Sequence, residues 1–446
     1  MDTVLERLAA RWSGTTPEDL PDDVAEIGRH CLLDWFGCAL AGSREPLAEL
    51  IRLELATPGA STVVGTDRTA PARDAALMNG AAGHALDFDD THMLLSGHPT
   101  VPVLPAVLAV AEEHDLDGPT LLTAFVVGVE VECRIGALLA PGHYLAGWHA
   151  TGTIGTIGAA AAVAHLLRLD TERTANAMAL AATQAAGLKA SFGIMAKPLH
   201  AGKAAADGLL AAGLAARGFT GNPAVLEAAQ GLAQAAGGGD IDPSRLDTLE
   251  DRWTIRDTLF KYHAACYLTH ASINAALALD VAADEVDSVE VHVAADSLKV
   301  CNIAEPATGL EAKFSLRATT AMALLGDDTT DMAAYRDARM TDADLVALRD
   351  KVRVVPLGDR PGTRSKVIVT TTDGRKLQAE ADTGIPAADH DLQMTRLSSK
   401  FHGLADPVIG EERARQLRQA VVDLSGGRDL AGLTRPVNPA REPGLA

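Results

Sequence analysis

Apolar side chains in the first two-thirds of the chain recur at the three- and four-residue intervals of a helix. In residues 21–40, Val24, Ile27, Cys31 and Trp35 share one face of such a helix. The same spacing predicts further helices over 101–114, 118–139, 155–167, 171–186 and 202–217. We therefore expect the chain to be mainly α-helical up to about residue 283.

The pattern changes after that point. Residues 289–293 alternate apolar and polar side chains, as a half-buried strand does. Two more strand-like segments, 366–372 and 375–380, flank Asp373 and Gly374, a pair that is typical of a tight hairpin turn. Helical spacing resumes at Asp391. The sequence thus predicts a smaller α+β region inserted into a mainly helical protein.

The composition favours close helix packing and disfavours two classes of partner. Alanine and glycine are abundant, and aromatic residues make up only 4% of the chain, so neighbouring helices can approach closely. The net charge is −20, and no basic stripe interrupts it. We therefore expect neither a nucleic acid nor a membrane surface as a partner.

The cysteines, the N-terminus and the apolar stretches bear on where in the cell the protein is located. Five cysteines, an odd number without a CxxC pair, favour reduced thiols and a cytoplasmic location. The N-terminus has no apolar run behind a basic start, so we expect no signal peptide. The apolar stretches are interrupted by glycine, histidine or charge, so we expect no membrane span.

Ionisable side chains are densest between residues 83 and 98. This segment holds His84, Asp87, Asp89, Asp90, His92 and His98. Unpaired charges are costly to bury, so such a group must be solvated, paired or bound to a ligand. A solvated loop with helix-capping aspartates, an acid/base site and a metal site are the three alternatives.

Two further stretches place histidine and lysine near predicted helix starts. His149 precedes a glycine-rich entry into an alanine-rich helix, whose free N–H groups favour an anion; the alternative is tight packing around a structural histidine. Lys197, His200 and Lys203 would form a second anion pocket, with Lys203 alternatively a surface residue. Because Lys197 precedes a proline, we expect it in an extended segment that enters a helix.

Lys261 lies shortly before the α+β region, where it could face a cleft between domains. The sequence contains none of the HExxH, CxxC, GxxxxGK[ST] or GxSxG motifs. These absences give no support to a zinc protease, a phosphate-binding loop or a hydrolase elbow.

Taken together, these stretches resemble the MmgE/PrpD family, which includes 2-methylcitrate dehydratase, cis-aconitate decarboxylase and iminodisuccinate epimerase. The motifs that carry the resemblance are His84-Ala-Leu-Asp-Phe-Asp-Asp-Thr, His98-Pro-Thr, Gly147-Trp-His149, Met195-Ala-Lys-Pro-Leu-His-Ala-Gly202 and Glu311-Ala-Lys-Phe-Ser315. Each motif alone would be weak, but together they are specific and span most of the chain.

The resemblance implies a fold and an assembly. Residues 1–275 with 390–446 would form a large all-helical domain, and residues 276–389 a smaller inserted α+β lid domain. The family's members are typically homodimers that need neither a metal ion nor an organic cofactor. The substrate would be a small polycarboxylate.

The resemblance also implies site residues. It marks Asp87, His98, His149, Lys197 and Lys261 as catalytic. It gives substrate-binding roles to Thr91, and we add His84 and His200 from the same motifs. The two lysines would bind carboxylates and stabilise an enolate-like state, while His149 and His98 would act as base and acid on opposite faces.

One departure bears on the reaction. Decarboxylase-like and many dehydratase-like members carry a tyrosine shortly after the Lys-Phe-Ser motif, where this chain has Ala318. The epimerase-like branch is also small there and shares the stretch 142–149. We therefore expect epimerisation of an iminodisuccinate-like substrate, with dehydration of a 2-methylcitrate-like or decarboxylation of a cis-aconitate-like substrate as the alternative.

Two rivals of another kind remain open. A helical Mg²⁺-dependent enzyme would use Asp87, Asp89 and Asp90, but it would need a DDxxD motif, and here Asp89-Asp90 is followed by Thr-His-Met. A non-catalytic helical protein that captures carboxylates would use the same cations. Acid and base groups on both faces of a ligand would argue against such a binding protein.

Overall fold

A computed structural model describes residues 2–237, 239–358, 361–426 and 430–437. Its α-helices in chain order are α1 Val4–Trp12, α2 Asp22–Gly42, α3 Pro46–Glu54, α4 Ala72–His84, α5 Thr100–Glu113, α6 Gly118–Leu139, α7 Gly142–Leu145, α8 Ala150–Leu166, α9 Thr171–Ala182, α10 Ala196–Ala216, α11 Leu232–Ala235, α12 Tyr267–Leu277, α13 Gly309–Ala312, α14 Leu316–Leu325, α15 Ala343–Arg349, α16 His390–Ile409, α17 Glu411–Val422 and α18 Ala431–Thr434. The strands are β1 Ser61–Thr62, β2 Thr69–Ala70, β3 Val286–Ala294, β4 Val352–Leu357, β5 Arg364–Thr371 and β6 Lys376–Asp382.

The chain divides into two compact units. The larger unit comprises Met1–Phe260 and Ala388–Ala446, and the smaller unit comprises Lys261–Ala387. Helix α12 packs on strands β5 and β6 and so belongs with the sheet in the smaller unit. The predicted class, mainly α with a small sheet-containing region, is confirmed.

The larger unit is held together by helices that meet at small residues. Helix α10 packs against both α8 and α4. A Cβ atom on Gly80 of α4 would lie 2.8 Å from the Cα atom of Gly202 on α10, and one on Gly208 would lie 2.6 Å from the Cβ of Ala159 on α8. These backbones can approach only because no side chain stands between them, which is why this region of the sequence is rich in alanine and glycine.

The C-terminal helices return to the larger unit. Helix α16 packs along α2, and a Cβ on Gly37 would lie 3.4 Å from the Cα of Phe401. Lys400 on α16 donates hydrogen bonds of 2.6 Å to Asp34 on α2 and to the carbonyl oxygen of Phe88. The terminal segment therefore fixes the backbone of the loop between α4 and α5, where the ionisable residues are concentrated.

The smaller unit is built on a four-stranded sheet of order β4-β3-β5-β6. Strand β3 runs parallel to β4, with Val289 opposite Val352, and antiparallel to β5. The predicted hairpin joins β5 to β6, and its turn places Gly374 at φ 86°, a conformation that glycine adopts without strain.

The helix predicted over 118–139 has those same bounds in α6.

Within the described ranges, every helix is either too short or too polar to cross a lipid bilayer.

Candidate active site

The loop from Ala85 to Pro99 folds inward between α4 and α5. Two backbone hydrogen bonds of 2.8 and 2.9 Å join Thr91 to Leu259, and the amide of His92 donates to the carbonyl of Gly97 at 2.9 Å. Asp87 has a φ of 51°, in the left-handed region that a residue with a Cβ seldom adopts. Because the aspartates of this loop are buried, the alternative of a solvated loop is wrong.

A single carboxylate, Asp89, connects two imidazoles. The Nδ1 atom of His84 lies 2.9 Å from Oδ2 of Asp89, and the Nδ1 atom of His98 lies 3.3 Å from the same oxygen. The two rings meet edge to face with their centroids 4.5 Å apart. Burial opposes ionisation of Asp89, but the two imidazoles outweigh it and hold the pKa of Asp89 well below its usual value.

His84 is neutral in this arrangement. Burial lowers the pKa of His84 to about 4, and the charge of Asp89 offsets only part of that effect. A neutral ring that donates Nδ1–H to Asp89 leaves Nε2 as a bare acceptor. That Nε2 atom is buried and has no hydrogen-bond partner in the part of the chain that the structure describes.

Lys197 brings a positive charge to the loop. Its Nζ atom donates a 2.6 Å hydrogen bond to Oδ1 of Asp87, and both side chains are buried. The ammonium group also lies 4.8 Å from the ring centroid of Phe192. Asp87 in turn has Oδ1 3.6 Å from Nε2 of His98, so it stands between the lysine and the imidazole.

The prediction that Lys197 sits in an extended segment is wrong. Helix α10 begins at Ala196, so Lys197 is its second residue and Pro198 its third. Proline is tolerated there because the first-turn N–H groups have no partner within the helix. The lysine therefore projects from the first turn of α10.

His149 lies against the same cluster. It is the N-cap residue of α8, and its ring stacks on His84 with centroids 5.6 Å apart and meets Phe192 edge to face at 5.0 Å. Its Nδ1 atom lies 3.2 Å from Nδ1 of His200. Burial, reinforced by the positive charge of Lys197, holds the pKa of His149 well below its usual value, so the ring is neutral at pH 7.

The remaining predicted residues have other placements. The hydroxyl of Thr91 donates to the carbonyl of Gly97 at 3.1 Å, a contact that closes the loop. His200 was expected to bind substrate, and its ring is turned toward His149. Lys261 is buried as the first residue of the smaller unit, and its part in the site stays a prediction.

Two partners were missed from the sequence. Asp89 was recognised only as part of a charged cluster, although it connects His84 and His98, and Phe192 was not singled out at all. Phe192 lies five positions before Lys197, and an aromatic ring near a lysine can contact its ammonium. The sequence therefore contained a signal for the contact between Phe192 and Lys197. The contact of Phe192 with His149 depends on tertiary packing.

Four side chains of the site could hold a cation. One donor atom from each of His84, Asp87, Asp89 and His98 lies within 4.8 Å of the others. A mixed set of imidazoles and carboxylates suits a transition metal better than Mg²⁺. Asp90, which the magnesium alternative required, instead accepts hydrogen bonds from the amide and hydroxyl of Thr100 at 3.3 and 2.5 Å.

The larger unit is thus a helical scaffold that brings three imidazoles, two carboxylates and an ammonium group together in one largely buried cluster, a set of groups suited to acid/base chemistry. Comparison with known sequences agrees. The MmgE/PrpD N-terminal domain matches residues 6–244 and the MmgE/PrpD C-terminal domain matches residues 263–425, so this chain belongs to the MmgE/PrpD family.

Three relatives of the chain have closely similar names. The chain is 26% identical to cis-aconitate decarboxylase of Mus musculus, over 98% of this chain and 93% of the mouse protein. It is 28% identical to the cis-aconitate decarboxylase-like protein oryM of Aspergillus oryzae, over 94% and 93%. Cis-aconitate decarboxylase of Aspergillus terreus is 32% identical over 59% of this chain and 57% of its own length.

Proposed function

We propose that this chain catalyses proton transfer at a carbon next to a carboxylate of a small di- or tricarboxylate, using side chains alone. The observation that carries the proposal is the neutral imidazole of His149, which stacks on His84 beside the Lys197–Asp87 pair. Its Nε2 atom is buried and has no hydrogen-bond partner among the described residues, so it is available to a substrate. A neutral imidazole can accept a proton at one ring nitrogen, and it can release one if the other ring nitrogen gains a proton in the same step.

Lys197 supplies the electrostatic part of the mechanism. Removing a proton next to a carboxylate, or losing CO₂ from such a carbon, leaves negative charge that spreads onto the carboxylate oxygens. A buried ammonium stabilises that charge more strongly than one in water would. Asp87 holds the ammonium in place at 2.6 Å, and Lys261 is proposed as the second carboxylate-binding cation.

His149 and His98 serve as the two proton-transfer groups. Nδ1 of His98 faces Oδ2 of Asp89 at 3.3 Å, so Nε2 of that ring points the other way, toward Oδ1 of Asp87 at 3.6 Å. His84, held by the same carboxylate, and Thr91 are proposed to contact the substrate's polar groups. One acid and one base on separate elements can serve a substrate carbon from two directions.

Two outcomes of this chemistry are supported by different observations. Decarboxylation of a cis-aconitate-like tricarboxylate is supported by the names of the relatives that span almost the whole chain. In that reaction the C–C bond to one carboxylate breaks, CO₂ leaves, and the carbanion takes a proton. Epimerisation of an iminodisuccinate-like substrate is supported by Ala318, which stands where decarboxylase-like members carry tyrosine.

A single assay separates these outcomes. The purified protein is incubated in heavy water with a panel of di- and tricarboxylates and followed by NMR. Deuterium incorporation with no net product indicates exchange or epimerisation, a new alkene with loss of hydroxyl indicates dehydration, and loss of one carboxyl carbon indicates decarboxylation. Binding of a polycarboxylate without any of these changes would contradict the proposal and favour a carboxylate-binding protein.

A further inference from the structure

His200 stands between the buried His149 and the surface of the larger unit. His149 is 2% exposed, whereas His200 is only partly buried. The two Nδ1 atoms are 3.2 Å apart, a hydrogen-bond distance, and the rings are tilted by 55°. Two nitrogens can share a hydrogen bond only if one carries a proton and the other does not, so the tautomers of the two rings are linked.

Two glycines make room for this contact. A Cβ on Gly152, in the first turn of α8, would lie 2.8 Å from the Cβ of His200. Gly187 has a φ of 142°, and a Cβ there would lie 3.2 Å from Nδ1 of His200. The carbonyl of Gly187 also accepts the amide hydrogen of His149 at 3.0 Å. The backbone thus holds both rings against each other, and any larger residue at either glycine would push His200 away.

The enzyme needs such a connection because His149 is secluded. On the function proposed above, His149 exchanges a proton with the substrate through Nε2. A neutral imidazole that releases its Nε2 proton would become an imidazolate anion unless Nδ1 gains a proton in the same step. Among the described residues, the group within hydrogen-bond distance of that Nδ1 is His200.

We propose that His200 is a proton-relay residue, which links Nδ1 of the buried His149 to solvent. When Nε2–H of His149 passes to the substrate carbanion, the N–H bond at Nε2 breaks and a C–H bond forms. Nδ1–H of His200 moves to Nδ1 of His149, and Nε2 of His200 takes a proton from water. Both rings stay neutral, and one solvent proton is consumed. Reversing the sequence returns a proton to solvent.

The positive charges near His200 fit this role. Burial, reinforced by the charges of Lys203 and Lys197, lowers the pKa of His200 below its usual value and so favours a neutral ring. The ammonium of Lys203 is held by Gln184, whose carbonyl accepts at 2.9 Å, and by Asp207. A neutral His200 can pass a proton on without trapping it as a stable imidazolium.

The test compares His200→Ala and His200→Gln with the wild type on whichever polycarboxylate the wild type converts. At low buffer concentration we expect kcat to fall by about tenfold or more in both variants, with KM changed less than about threefold. Added imidazole should restore kcat in His200→Ala, where it can occupy the vacated space, but not in His200→Gln. His402→Ala, which removes a histidine that contacts Asp406 instead, should behave as wild type throughout.

Other results would overturn the relay. An unchanged kcat in both variants would contradict the relay. A fall in kcat that imidazole does not restore, together with a raised KM, would also contradict it. Either result would return His200 to the substrate-binding role expected from the sequence. If circular dichroism shows that either variant fails to fold, NMR of the wild type tests the relay by itself. Its ¹H–¹⁵N NMR spectrum must show one of the two rings protonated at Nδ1 and the other at Nε2, and two rings both protonated at Nε2 would refute the relay.

The relay rests on the proposed function, and its failure can be told apart from the failure of that function. A wild type that converts no polycarboxylate refutes the proposed function, while the NMR measurement of the tautomers still decides whether the two rings share a proton. A wild type that is active, with variants insensitive to imidazole, refutes the relay alone.

Discussion

Lys197 donates a 2.6 Å hydrogen bond to Asp87, and this buried pair joins the first turn of α10 to the left-handed turn after α4. Two buried charges of opposite sign are tolerated because each neutralises the other. Asp87 also lies 3.6 Å from His98. If Lys197 moved toward a substrate, the carboxylate of Asp87 would therefore remain beside the imidazole of His98. On the function proposed above, the pair would couple carboxylate binding to the acid/base groups.

Replacing Lys197 by methionine tests that coupling. Methionine keeps most of the volume but removes the charge, so we expect kcat/KM to fall by about a hundredfold or more, the scale of losing an electrostatic group in a water-excluded site. Lys299→Met is the control, because Lys299 is exposed and pairs with Asp296. Equal activity in the two variants would remove Lys197 from the mechanism.

His149→Gln tests the acid/base role directly. Glutamine can form hydrogen bonds but does not exchange protons near pH 7, so turnover should fall by roughly a hundredfold or more while the protein stays folded. The matched control is His165→Gln in the last turn of the same helix, where the ring bonds the carbonyl of Thr15 at 2.7 Å. Near-normal turnover in His149→Gln, measured with the substrate identified by NMR, would exclude His149 as the proton-transfer group.

Metal removal tests whether His84, Asp87, Asp89 and His98 work as side chains alone or as ligands of a metal ion. Because the ammonium of Lys197 already lies against Asp87, we expect dialysis against EDTA to leave turnover unchanged. Added Zn²⁺ should inhibit, since His84, Asp89 and His98 place imidazole and carboxylate donors close together. Activity lost to EDTA and restored by a divalent cation would show that the cluster works with a metal ion.

Periodicity predicted the scaffold better than it predicted the contacts of the site. The spacing of apolar residues located α6 and the sheet, and Asp373 with Gly374 located the hairpin, because those signals are local in the chain. The pairing of His149 with His200 was not predicted, since it depends on close approaches that two glycines permit. The left-handed conformation of Asp87 also has no local signal, because it is imposed by the surrounding loop.

The resemblance to a family located residues that periodicity could not. Asp87, His98, His149 and Lys197 are separated by up to 110 residues, and the structure places them in one cluster. Lys261 belongs to the smaller unit, and its role remains for mutagenesis to test. Fold class therefore follows from hydrophobic spacing, whereas the site follows from motifs.

The contact between α10 and α4 at Gly202 should control the stability of the protein. A Cβ there would lie 2.2 Å from the carbonyl oxygen of Leu77 on α4, a backbone atom that cannot move aside. We expect Gly202→Ala to lower the free energy of unfolding by about 1–3 kcal/mol, as overpacking does, and to lower activity because α4 and α10 carry His84 and Lys197.

The matched control for that substitution lies on the same helix. At Gly213 the nearest atom to an added Cβ is 3.7 Å away, at the end of the Arg217 side chain. Gly213→Ala should therefore stabilise the protein by up to about 1 kcal/mol through helix propensity. Denaturant unfolding of both variants measures the difference, and a Gly202→Ala protein as stable as Gly213→Ala would show that α4 and α10 are not in this contact.

Asp90 should make stability depend on pH. Burial, reinforced by the charge of Asp34, raises the pKa of Asp90 to about 8, whereas the unfolded chain has the ordinary value of 3.8. Between those two values the folded state binds a proton that the unfolded state has released. The free energy of unfolding that Asp90 contributes therefore falls as pH rises through this window, by at most about 1.4 kcal/mol per pH unit.

Asp90→Asn removes that titration and keeps an oxygen that can accept from Thr100. We expect the variant to gain stability over the wild type progressively from about pH 4 to about pH 8, and the gap to stay constant outside that range. Asp251→Asn, at an exposed position, is the control and should show no such trend. Denaturant unfolding at several pH values measures the gap, and a gap that is independent of pH would mean that Asp90 is ionised in the folded protein.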